Sequence, residues 1–209
     1  MNSHYLILII LWIVYYAIHS VLAATSVKIF FKKTLDKYFR YYRLAYSVFA
    51  LLALIALLRY QYSFPSPTLT NLIIVKYLAV LFLILPGLFI MLISLKKYFM
   101  LLSGIRSIFT PVSVPELKVN GIHKYMRHPL YSGTILFVFG LFFIFPTLSN
   151  FIAAILLTLY ILTGISFEEK KLIKEFGNDY LEYKTQVRGL IPFLRKHESK
   201  KVNQSIFEG

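Results

Sequence analysis

Residues 72–95 read LIIVKYLAVLFLILPGLFIMLISL, an apolar run whose one charged residue is Lys76. A helix rises about 1.5 Å per residue, so about 20 such residues cross the ~30 Å hydrocarbon core of a bilayer. The run therefore decides the fold class: it belongs in lipid. Composition agrees, since 58% of the 209 residues are apolar and 15% are charged, too greasy a balance for an ordinary soluble chain. Pro86-Gly87 falls inside the run and predicts a kink, because proline removes one backbone hydrogen bond and clashes with the preceding turn.

Four more apolar runs flank this one, at residues 5–24, 44–58, 130–145 and 151–167. The second is short, but Tyr41, Tyr42, Tyr60 and Tyr62 supply an interfacial belt around it. Between the last two, Pro146-Thr-Leu-Ser-Asn150 has turn chemistry and room only for a tight hairpin. The first run lacks a positively charged leader, and Trp12, Tyr15, Tyr16 and His19 interrupt it, so it reads as a retained helix and not a cleaved signal. The expected fold is an all-α integral membrane protein with five transmembrane helices.

Basic residues then set an orientation. Lys28, Lys32, Lys33, Lys37, Arg40 and Arg43 lie between spans one and two, and Lys96, Lys97, Arg106, Lys118, Lys124 and Arg127 between spans three and four. The tail from Lys170 onward carries the rest, apart from Arg59 and Lys76 in the alternate connections. Under the positive-inside rule the N-terminus lies outside, and two long basic loops and the tail lie in the cytoplasm. The net charge of +14 is thus a topology signal and not a nucleic-acid one, because the basic residues flank spans instead of lining one soluble face. Some can also hold anionic head groups. The predicted location is a prokaryotic inner membrane.

The tail itself has structure. Phe167, Leu172, Ile173 and Phe176 recur at helical spacing, Gly177 is a C-cap candidate, and Asn178 or Asp179 can cap a second helix carrying Tyr180, Leu181, Tyr183 and Val187. This predicts a pair of C-terminal amphipathic helices on the cytoplasmic face, placed to lid a site. Beyond Phe193 the chain turns polar. Neither an internal repeat nor a low-complexity segment is present. With no cysteine, disulfides and thiolate chemistry are excluded. Five histidines and no acidic cluster beyond one glutamate pair give no metal site.

That pair, Glu168-Glu169, follows Gly121-Ile-His-Lys-Tyr-Met-Arg127-His128-Pro129-Leu-Tyr131-Ser-Gly133 at the same membrane face. A charge forced to the centre of a membrane helix costs roughly 2.5–3.5 kcal/mol, so clustered charges facing a bundle interior mark a site. The competing reading makes Arg127 a snorkelling interface residue and the glutamates a solvated helix end. His19 fits a hydrogen bond across helices as well as a contact to substrate. Met91, Met100 and Met126 read as packing or lipid-facing residues and not as ligands.

Order and spacing carry a resemblance. The run Gly121 to Gly133, the Glu168-Glu169 pair, Phe176-Gly177-Asn-Asp-Tyr180-Leu-Glu-Tyr183 and Ile191-Pro192-Phe193 together resemble the C-terminal half of the isoprenylcysteine carboxyl methyltransferase and phospholipid methyltransferase superfamily, over roughly residues 95–195. His19-Ser20 and Ser103-Gly104-Ile-Arg106 are similar to its bacterial offshoots, such as membrane thiol S-methyltransferases. The resemblance implies S-adenosylmethionine as cofactor, bound by His123, Tyr125, Arg127, His128, Pro129, Tyr131, Gly133, Glu168 and Glu169, with Arg127, His128 and Glu168 also catalytic. The glutamates suit the cofactor's ammonium or ribose, Arg127 or His128 its carboxylate, and Tyr125 or Tyr131 its sulfonium. Pro129 opens the fourth span where its missing donor costs nothing.

The methyl acceptor stays open among lipophilic or small thiols, carboxylates and amines. A thiol or amine must lose a proton, to His128 or Glu168. Prenylcysteine enzymes carry Arg-Val where this chain has Gln186-Val187, which argues against their substrate. The alternatives are an NADPH-dependent membrane reductase of steroid-reductase-like architecture, which wants a denser arginine cluster than Arg106 and Arg127, and a non-catalytic membrane assembly or sensor protein. The domain organisation expected is a single domain in two parts: 1–95 with spans one to three, and 96–209 with spans four and five and the cofactor residues. Its partners are the bilayer and the acceptor.

Overall fold

The computed structural model describes residues 2–70, 72–102, 117 and 119–192, and among these every regular element is helical. Ser103, Gly104, Arg106, Lys118 and Phe193, singled out above, lie outside the described residues. Helix α1 (Asn2–Ala23) runs into α2 (Thr25–Leu35), a 3₁₀ segment (Asp36–Tyr41) and α3 (Tyr42–Gln61). The first of the two expected basic loops is therefore helical. Lys28, Lys32 and Lys33 sit on α2 and Lys37 on the 3₁₀ segment, neither of which buries a residue, so hydropathy falls there while the backbone ladder continues.

Four segments are long and apolar enough to cross a membrane: Ser3–Ala23, Thr25–Gln61, Ile73–Lys96 and Leu148–Phe176; Pro129–Ile144 is apolar but shorter. Large apolar side chains face outward, Phe89 being 66% exposed. Such a surface requires lipid as its solvent.

The predicted kink takes a specific form. Helix α4 (Ile73–Ala79) passes through a π turn (Val80–Ile84) into α5 (Leu85–Leu102). Pro86 cannot donate to the carbonyl four residues back, at Phe82, and its ring crowds that carbonyl; widening the preceding turn relieves both problems. Gly87 then meets α6 (Pro129–Ile144) backbone to backbone. A Cβ on Gly87 would stand 2.8 Å from the Phe137 nitrogen, and one on Gly133 would stand 2.8 Å from the Gly87 carbonyl oxygen. Gly140 packs as closely on Ile84. Small residues are what let membrane helices approach this far.

Helix α6 turns at Phe145–Thr147 into α7 (Leu148–Phe176). The Thr147 hydroxyl caps α7 by accepting the Asn150 amide at 3.3 Å, so the helix begins inside the stretch expected to be turn. A buried amide network closes this end: Trp12 Nε1 donates to Gln61 (3.1 Å), and Gln61 to Asn150 (2.8 Å). Leu8, Trp12, Tyr16, Leu57 and Ala153 pack beside it as one core.

The tail differs from the expected pair of surface helices. Its first half is the end of α7, which runs unbroken for 29 residues, about 43 Å at 1.5 Å each. That exceeds the ~30 Å hydrocarbon core, so the charged end from Glu168 projects beyond it. Nothing between Phe151 and Phe176 breaks the helix until Gly177, whose φ of 56° favours glycine. Helix α8 (Asn178–Gln186) then folds back, burying Tyr180 and Tyr183 with Val119 and Val187.

Candidate active site

Gly121 at φ 66° opens a 3₁₀ turn, Gly121–Lys124, that delivers the chain to Arg127 and His128 just ahead of α6. The residues that follow α8 are hydrogen-bonded onto this segment. The amides of Arg127 and His128 donate to the carbonyls of Arg188 and Gly189, both at 2.9 Å, and the Ser132 hydroxyl donates to the Leu190 carbonyl at 2.6 Å. Tyr183 reinforces the seam, donating its hydroxyl to the His123 carbonyl at 2.7 Å. The end of the described chain is thereby strapped across the motif.

Inside the strap lies Glu169. Its Oε1 accepts from Arg127 Nη2 (2.6 Å), Arg127 Nε (3.0 Å) and His128 Nε2 (3.2 Å), while its Oε2 meets Lys184 Nζ at 2.7 Å. The remaining Arg127 nitrogen donates to the carbonyls of Lys184 and Val187. Burial by itself would raise the Glu169 carboxyl. The hydrogen bonds from Lys184, Arg127 and His128 outweigh it and lower the pKa to about 2.

Consecutive helix residues point about 100° apart, and the two glutamates separate accordingly. The Glu169 side chain is 12% exposed and Glu168 43%. The buried His128 ring lies between them, with Nδ1 at 3.8 Å from Glu168. Tyr131 stacks on that ring at 5.7 Å and also neighbours the Glu168 carboxylate.

The structure thus gathers Arg127, His128, Tyr131, Glu168 and Glu169, and divides them by work. Arg127 and Glu169 satisfy one another, so they hold the strap. Glu168 and Tyr131 remain on the accessible side. His123 is bound into the turn through Nδ1 at 3.2 Å from the Arg127 carbonyl. Tyr125 is exposed, Pro129 fills the first position of α6, and Gly133 faces Gly87 and Met91 at the helix crossing. Sequence reasoning missed Lys184 and Ser132. Lys184 shares a face of α8 with Tyr180, four residues earlier, which was the available signal; a lone serine inside the motif offered none.

A family model described as phospholipid methyltransferase matches residues 75–179, half of the chain. Methanethiol S-methyltransferase 1 of Bradyrhizobium diazoefficiens is 39% identical over 83 residues, covering 39% of this chain and 28% of that protein. Methanethiol S-methyltransferase of Crocosphaera subtropica is 38% identical over 90 residues, 42% of this chain and 32% of its own. The relative of that name from Mycobacterium tuberculosis is 27% identical over 103 residues, 46% of this chain and 41% of its own. These matches span about a third of the relatives' lengths. No solved structure matches the chain.

Proposed function

We propose, from the premise that the chain belongs to the phospholipid methyltransferase family, that it transfers a methyl group from S-adenosylmethionine to a thiol. The observation that carries this reading is the division of the acidic pair. Glu169 is neutralised by Arg127 and Lys184 and hydrogen-bonded to His128, whereas Glu168 stands half-exposed beside Tyr131, an anionic anchor ready for a cationic ligand. When bound, S-adenosylmethionine supplies a methyl on a sulfonium sulfur, which departs with the bonding electron pair.

The chain's own residues fit that group chemically. Glu168 suits its ammonium or ribose hydroxyls, and the Lys184 ammonium, 40% exposed, suits its carboxylate. Tyr131 and Tyr125 offer ring faces to the sulfonium, worth about 0.5–2 kcal/mol each. A thiol attacking the methyl must release its proton. His128 Nδ1 takes it, the ring being held in place through Nε2 at 3.2 Å from Glu169 Oε1. The strap and α8 exclude water, and alignment of donor and acceptor supplies most of the acceleration, up to ~7–11 kcal/mol. The names of the relatives favour a thiol over a carboxylate or amine.

The same reading has five spans, with the 16-residue α6 as the fourth and α7 as the fifth, forming one domain with residues 1–95 as its first part. The basic α2 and the tail place the N-terminus outside and the C-terminus inside a prokaryotic inner membrane. Calorimetry on the full chain in detergent tests the cofactor directly. S-adenosylmethionine is expected to bind and NADPH not to; the reverse would overturn the reading.

A further inference from the structure

Helices α1 and α3, both outside the matched residues 75–179, enclose a cleft of about 310 Å³. Its walls are apolar. Ala50, Ala53 and Ala56 recur along α3 and leave the space, and among the described residues no charged side chain lines it, Arg43 standing outside it one turn before Tyr46 on α3. Its polar lining comes from tyrosines and His19, which meets the Tyr46 hydroxyl at 2.9 Å. Next to it, Ser20 and Tyr160 share a hydrogen bond of 3.1 Å, and the Tyr160 ring stands 6.3 Å from His19. Tyr160 is also within electrostatic range of Tyr131, which neighbours Glu168. Tyr160 and Glu168 stand on the same helix, α7, eight residues or about 12 Å of rise apart, so the cleft and the methyl-donor residues share that helix.

We propose that this cleft is the acceptor site and that it selects apolar thiols with long tails, an inference that rests on the methyl-transfer reading. Charge decides against other acceptors: with no cation in the lining, a carboxylate or a phosphate-bearing lipid head would be buried unpaired, at a cost of several kcal/mol. A thiol is a weak donor that buries as a small hydrophobe, so the cleft can take the apolar tail and leave the sulfur at its Tyr160 side, toward His128. Size decides the tail. At about 30 Å³ per water-sized group, the cleft holds on the order of ten non-hydrogen atoms, whereas methanethiol has two. As the S–CH₃ bond forms, the thiol proton passes to the protein and the donor sulfur keeps the electron pair.

The test is photolabelling of the full chain in bilayer nanodiscs with octanethiol carrying a terminal diazirine, read by peptide mass spectrometry. Adducts are expected on residues 11–22 and 46–60, suppressed by excess octanethiol but not by octane. Ala53→Phe, and the milder Ala50→Val should the first not fold, is expected to reduce labelling and the octanethiol-to-methanethiol ratio of kcat/KM about tenfold. Adducts elsewhere, or equal competition by octane as from a lipid-filled groove, would overturn the proposal even while methyl transfer is observed. Specific adducts in the cleft with no thiol methylated would leave the cleft as a thiol site and sink the methyl-transfer reading instead.

Discussion

At the scale of single residues, adjacent glutamates on one helix stand in different surroundings, Glu169 paired and buried and Glu168 half-exposed. Glu169→Gln removes the charge that Arg127 and Lys184 share, leaving cations beside a strap they were placed to hold. A loss of about 3 kcal/mol in unfolding free energy is expected, read by thermal or denaturant unfolding in detergent. Its pH dependence has a definite sign. The Glu169 carboxyl is depressed from 4.5 to about 2, so its contribution is fully present above pH 4.5 and is lost as pH falls through the window down to 2. The wild type should lose stability across that window, and Glu169→Gln should lose less; parallel curves would show that the ion cluster does not stabilise the fold. Glu168→Gln should do the opposite, leaving unfolding unchanged while weakening S-adenosylmethionine binding by roughly 1.5–3 kcal/mol. Unchanged affinity in calorimetry would return Glu168 to the role of a solvated helix end.

At the scale of elements, the α5–α6 crossing separates packing from binding. Gly133→Ala puts a methyl 2.8 Å from both the Gly87 carbonyl oxygen and Met91 Cγ, and should cost about 1–3 kcal/mol in stability. If it lowered cofactor affinity without moving the melting temperature, Gly133 would belong to the pocket after all. The same crossing shows what could be read in advance. Hydropathy located the apolar runs because lipid demands them, and Pro86-Gly87 marked the irregular turn. The partner that Gly87 packs on was invisible, since crossings depend on which helices meet. The helical nature of α2 and the continuation of α7 to Phe176 were hidden for a related reason. Hydropathy reports solvent, and a helix that leaves the membrane keeps its backbone hydrogen bonds while its side chains turn polar. Arg127, His128 and the glutamates were legible from motif spacing, but their division of labour was not, because it is set by α8 and the strap returning from sixty residues away.

At the scale of the whole molecule, the two proposed sites share helix α7. Tyr16 stacks on the Tyr160 ring at 4.3 Å and Ser20 bonds its hydroxyl, tying α1 to α7; Glu168 stands eight residues further along the same helix. At Pro86-Gly87 the crossing with α6 is tight, and the open cleft lies between α1 and α3. On the proposed reading, acceptor and cofactor enter through different helices. His19→Ala and Tyr160→Phe should therefore each lower kcat with a long-chain thiol by about 10²-fold, the scale of a misplaced reacting group or a lost proton relay, while S-adenosylmethionine affinity stays within error. Because His19 bonds Tyr46 and not Glu168, its loss leaves the carboxylate proposed to anchor the cofactor as it was. Calorimetry beside single-turnover methylation distinguishes the cases: if His19→Ala weakens cofactor binding as much as Glu168→Gln does, the first helix is part of the cofactor pocket and the two entrances are one.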